Sequence, residues 1–150
     1  MTTKTATIDE TEPLELSETA LRILPTHQKE CLDEVRRFES VAEYNALVRA
    51  VETQAANFAK MPKLYATDGK PNSQRKVLLH YFFGGCDWWL LERSEDGAEL
   101  YGYCKIHEAE FGYVTLRELT TTRVNPVYGI ELDFHWKPQT LSRVIHALAE

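Results

Sequence analysis

The hydrophobic period of the chain changes near residue 62, and no other feature of the sequence limits the fold so strongly. Before that point Leu32, Val35, Phe38, Val41, Tyr44, Leu47, Val48 and Val51 recur at steps of three and four with charges between them. That spacing belongs to a helix with one apolar stripe. After it, apolar residues alternate with other residues at every second position, the spacing of strands. The two periods divide the chain into a helical first part and a sheet-forming second part.

The helical part reads as one helix or two. Ser40 followed by Glu43 has the pattern of a capping box and marks a restart at about residue 41. Met61-Pro62 ends the run, because proline disfavours helix at the residue before it. A shorter group, Leu14 to Leu24, stops at Pro25 and fits a short docking helix. Residues 1 to 16 hold almost no large apolar side chains, so a disordered or loosely docked tail is expected there. The expected organisation is a tail over 1–16, a helical segment over 17–60 and an antiparallel domain over 61–150.

In the second part, 66–74 (ATDGKPNSQ) is a turn-rich connection. Strands are expected from Lys76 to Phe83, Trp88 to Arg93 and Ala98 to Lys105, with turns at Gly84-Gly85 and Asp96-Gly97. Phe111 to Thr115 forms a fourth strand, followed by one helical turn over Leu116 to Leu119. Val127 to Trp136 forms a fifth, with Tyr128, Ile130, Leu132, Phe134 and Trp136 inward and Glu131, Asp133 and His135 outward. The stripe Leu141, Val144, Ile145 and Leu148 after Pro138 makes a C-terminal helix lying on the sheet. Strands grouped together and followed by a helix indicate an α+β fold, an antiparallel sheet of about five strands, and exclude a Rossmann-type crevice.

Composition narrows the function classes. The net charge is −6, with 11 Asp and Glu against 6 Lys and Arg in residues 1–58, so direct binding to nucleic-acid phosphates is disfavoured. No apolar run reaches membrane-spanning length. Cys31, Cys86 and Cys104 form no CxxC pattern, which fits a reducing, cytoplasmic setting. No P-loop, GxGxxG or GxSxG is present, so no cofactor is expected.

Two constellations compete as the functional site. The first is aromatic: Trp88, Trp89, Tyr101, Tyr103, Tyr113 and Trp136 are the partner-binding candidates. Neighbours on a strand point to opposite faces, so Trp88 and Trp89 cannot both be covered by one layer. The second is ionic: alternate positions Glu131, Asp133 and His135, joined by His107, would give the mixed oxygen and nitrogen ligands of a zinc or manganese site. Acids on the outer side of an edge strand also serve simply to keep a sheet soluble. His80 amid apolar residues reads as a packed side chain, and Cys86 lacks an oriented base.

The residues also resemble a family. Leu64-Tyr65, Tyr81-Phe82-Phe83, Asp87-Trp88-Trp89 with Glu92, Tyr101-Gly102-Tyr103, the run Glu110 to Leu116 with Glu118-Leu119, and Glu131-Leu132-Asp133-Phe134 ahead of Lys137-Pro138 carry the resemblance. They are similar to the bacterial domain of unknown function 2958 family, over about residues 62 to 145. In Glu110 to Leu119, Phe111 stands where that family's signature has Leu. The resemblance implies a protein of plasmids, integrative elements or phages, encoded near anti-restriction and transfer genes.

The expected function is therefore a non-catalytic interaction module. Its partner is a host or element-encoded protein, with anti-CRISPR or anti-restriction inhibition of a nucleic-acid-processing complex as one form. An acidic surface can occupy a basic channel. A homodimer is compatible with this reading. The competing reading is a small metal-dependent hydrolase or nucleotide-binding domain using Glu131, Asp133 and His135.

Overall fold

The computed structural model describes residues 11 to 149, so residues 1 to 10 of the expected tail lie outside the described residues. The protein has an α+β fold: an N-terminal helical segment, a five-stranded antiparallel sheet and a C-terminal helix. The helices are α1 (Glu18–Ile23), α2 (Thr26–Phe38) and α3 (Val41–Ala59). Ser17 caps α1 by accepting from the Ala20 N–H, and Ser40 caps α3 by accepting from the Glu43 N–H. The restart at Ser40 thus divides the long apolar stripe into two helices, as the capping pattern requires.

The main sheet runs β5-β4-β3-β2-β6, with β2 (Leu79–Phe83), β3 (Cys86–Arg93), β4 (Glu99–Lys105), β5 (Ala109–Thr115) and β6 (Glu131–Leu132). A short pair, β1 (Lys76–Val77) with β7 (Gln139–Thr140), leads into α5 (Leu141–Leu148). After β5 the chain makes α4 (Leu116–Thr121), closed by a reciprocal capping box between Thr115 and Glu118.

Each face of the sheet is covered by a different layer. Ile23, Leu32, Val48, Val51 and Phe58 of the helices form one core with Leu79, Tyr81, Leu90, Leu100 and Leu132 of the sheet. Val77, Trp89, Leu91, Leu141 and Val144 form a second core on the opposite face, under α5. Trp88 packs against the first and Trp89 belongs to the second, so the adjacent tryptophans divide between the layers as alternation demands. Polar ties reinforce the helical layer. Leu14 N–H donates to Asn45 Oδ1, and Gln54 Nε2 donates to the carbonyls of Phe134 and Trp136.

Two expected strands differ from the observed ones. The strand expected from Lys76 to Phe83 breaks at Leu78, whose N–H goes to the Leu90 carbonyl, and its first two residues pair with β7 instead of continuing in the main sheet. The strand expected from Val127 to Trp136 shrinks to Glu131–Leu132. Asn125 Oδ1 accepts the N–H groups of Val127 and Tyr128 and holds them in an exposed turn. Asp133 Oδ1 accepts the His135 N–H and turns the chain out of the sheet. Short polar side chains here offer the backbone an alternative to the ladder, and they win over the alternating pattern.

Candidate functional site

The two edges of the main sheet are treated differently. On the β6 edge, Gln28 of α2 accepts the Leu132 N–H at 2.8 Å and donates to the Leu132 carbonyl at 3.2 Å, as a neighbouring strand would. His27 adds a contact of 2.8 Å between Nε2 and the Ile130 carbonyl. Helix side chains therefore seal that edge. The opposite edge is β5, seven residues long, with β4 on one side and, among the described residues, no strand on the other. Its sequence, AEFGYVT, holds no proline, lysine or arginine, the residues that usually blunt an edge.

Aromatic rings line this free edge. Phe111 is 39% exposed and Tyr113 is 50% exposed, and Tyr65 beside them is 69% exposed. Tyr101 of β4 stacks with Phe111 at 6.0 Å and meets Tyr113 at 4.8 Å. Tyr103 meets Phe111 edge-on at 5.2 Å. The Tyr113 hydroxyl is pushed up to about 12, chiefly because it donates a hydrogen bond to the Tyr65 side chain, which favours its neutral form.

A buried carboxylate shapes the loop that carries Tyr65. Glu92 accepts the N–H groups of Tyr65 at 2.7 Å and of Thr67 at 2.8 Å, and also the Thr67 hydroxyl. Tyr65 is held at φ 74°, a left-handed conformation costly for a non-glycine residue, and the Glu92 bonds fix it there. Next to Thr67, Arg75 lies over the Phe111 and Tyr101 rings, 5.1 and 5.9 Å from their centroids.

A second ionic group sits between the sheet and the turn after β6. His80 is flanked at both ring nitrogens, with Asp133 Oδ2 3.0 Å from Nδ1 and Asp87 Oδ1 2.7 Å from Nε2. Each ring nitrogen thus has a carboxylate oxygen as its partner. Trp89, Phe82 and Trp136 surround it at centroid distances of 5.1 to 5.6 Å. The His80 hydrogen bond is the largest influence holding Asp133 below the usual carboxylate range. With both nitrogens engaged, the ring has no free position for metal ligation or for activating a nucleophile. Its role is to fasten the turn at Asp133 to β2 and β3.

The sequence-derived candidates separate accordingly. Tyr101, Tyr103 and Tyr113 gather at the β5 edge, with Phe111 and Tyr65 added by the structure. Trp89 is 6% exposed and Trp136 is half-buried, its indole N–H on the Val77 carbonyl, so neither offers a docking surface. Trp88 packs against the helical core beside a groove of about 430 Å³.

The ionic constellation does not assemble. Asp133 turns to His80, His135 is exposed, and Glu131 lines a separate cleft of about 330 Å³ with Cys31 and Phe134. His107 stands beyond the end of β4, with β3 and β2 between it and β6. Among the described residues, no group of three or more His, Cys, Asp and Glu is placed to hold a metal ion.

The Asp87–His80–Asp133 and Glu92–Thr67–Arg75 groups are assembled by the fold from residues distant in sequence. For the first, a signal existed: the Gly84-Gly85 turn sets the β2–β3 register, which puts Asp87 diagonal to His80 on one face. Comparison with family models, curated proteins and solved structures finds no match to this chain. Among the described residues, no helix is long and apolar enough to cross a membrane.

Proposed function

We propose that the chain is a non-catalytic protein-interaction module that receives an extended segment of a partner protein along β5. The observation that carries this reading is the asymmetry of the edges: α2 seals β6, while the outward-facing backbone groups at every second residue of β5 before Thr115 meet no strand among the described residues and lie beside exposed rings. Strand addition to such an edge gains main-chain hydrogen bonds for affinity, and the rings at Phe111 and Tyr113 select alternate side chains of the incoming strand. Tyrosine and phenylalanine are also the residues that interfaces favour, because they bury much area for little lost rotamer freedom.

The mobile-element resemblance gives this module a narrower form, an inhibitor of a host defence complex. The acidity of the chain supports that form only in so far as basic, nucleic-acid-binding surfaces attract it, and salt should then weaken the complex. The test is site-specific photo-crosslinking in the native host from Phe111 and Tyr113, with exposed Glu18 of α1 as control. Adducts to one partner peptide from both strand positions and none from residue 18 support the reading. Equal or absent adducts at the strand positions remove it.

A further inference from the structure

We propose that Arg75 is a receptor for one oxyanion, taking a carboxylate or phosphate oxygen pair on the terminal edge of its guanidinium beside β5. The residue is 8% exposed, so its charge is nearly withdrawn from water. A guanidinium carries five N–H donors. Only Nε is used, donating to Thr67 Oγ1 at 3.2 Å, and the two Nη atoms meet no acceptor among the described residues. The Nη donors therefore stay available to water or to an arriving anion, while the rest of the side chain is held in place by its surroundings.

The direction of the open edge follows from the surroundings. No fully buried side-chain nitrogen or oxygen among the described residues lacks a partner, so both Nη atoms reach the surface. The guanidinium rests on a platform of two rings, Phe111 and Tyr101, whose planes differ by 10°. Contact with these rings and the Nε bond to Thr67 limit the motion of the guanidinium, and its unused Nη pair matches a bidentate oxyanion.

Glu92 does not fill that role. Its oxygens are taken by the Tyr65 and Thr67 N–H groups and the Thr67 hydroxyl, and it makes no ion pair with Arg75. It influences Arg75 only through Thr67, and its nearby charge keeps the affinity for a free anion low. Phe111 belongs to the free edge strand, so an oxyanion on Arg75 lies next to whatever pairs with β5. In placing the oxyanion on a partner's acidic or phosphorylated side chain, the inference rests on the proposed function. The receptor itself does not.

The test is therefore made with free anions on the whole chain. Sodium acetate and sodium phosphate are titrated separately at constant ionic strength against sodium chloride, following the Arg75 Nε–Hε resonance by NMR. A saturable shift with acetate assigns a carboxylate, one with phosphate assigns a phosphate, and either is lost in Arg75→Met and weakened in Arg75→Lys. Should Arg75→Met not fold, the wild-type titration decides alone. Absence of a saturable shift with both anions, or an undiminished shift of the Tyr101 and Phe111 ring signals in folded Arg75→Met, overturns the proposal. Neither result depends on whether a partner strand is found on β5.

Discussion

The Tyr81 hydroxyl, at the centre of the sheet, donates to the backbone carbonyl of Ile23 at 2.6 Å, in the last turn of α1. Tyr81 is fully buried, and burial alone pushes its hydroxyl well above the ordinary tyrosine range. The bond therefore joins two segments 58 residues apart inside one core. It makes the N-terminal helices a structural layer of the sheet.

Tyr81→Phe keeps the ring and strands the Ile23 carbonyl. Leaving a buried acceptor unsatisfied costs about 1–3 kcal/mol. Chemical denaturation should show that loss in a single transition, followed equally by helix and tryptophan signals. Separate transitions for helices and sheet would contradict a shared core.

Gly102→Ala tests the packing at the centre of the sheet. A Cβ there would stand 2.1 Å from the Trp89 carbonyl oxygen, and that neighbour is backbone, which cannot swing aside. The site lies opposite the register shift between Leu90 and Glu92, where β3 bulges toward β4. Overpacking of this kind costs about 1–3 kcal/mol or more. A melting temperature unchanged from wild type would show that the bulge relaxes.

Asp133 carries a pH dependence whose sign is fixed. Its folded carboxyl is held below the usual range, chiefly by His80, so its contribution is present above the ordinary value near ~3.9 and fades as pH falls toward the lowered one. Denaturant titrations from neutral pH to about pH 3 should show wild type losing stability more steeply than Asp133→Asn below about pH 4. Parallel curves would mean that the His80 contact contributes nothing.

Tyr65→Phe removes the hydrogen bond that does most to raise Tyr113. Ultraviolet titration of the tyrosinates should then find Tyr113 ionising nearer the ordinary value of about 10 than the wild-type value of about 12. An unchanged titration would place the Tyr65 ring away from β5 in solution.

Local patterns carried the fold, and contacts distant in sequence carried the rest. Alternation with a two-glycine turn was enough for β2 and β3, and Ser40 marked the break between α2 and α3. The alternation from Tyr128 to Trp136 misled, because Asn125 and Asp133 spend their side chains on nearby backbone and stop the strand. The free edge was only partly legible: Phe111 and Tyr113 stand in a recognisable strand, but which strand lacks a neighbour is decided by Gln28, 104 residues from Leu132. Likewise Arg75 reads as one of several surface cations until Thr67, Tyr101 and Phe111 enclose it.

Amide hydrogen exchange on β5, in the complex with the crosslinked partner, tests the open edge most directly. Strand addition predicts that the β5 amides not bonded to β4 slow on binding, in an every-second-residue pattern between Ala109 and Thr115, with Phe111→Lys and Tyr113→Lys abolishing the effect. Protection confined to the helical layer, with β5 exchanging as in the free protein, would contradict it.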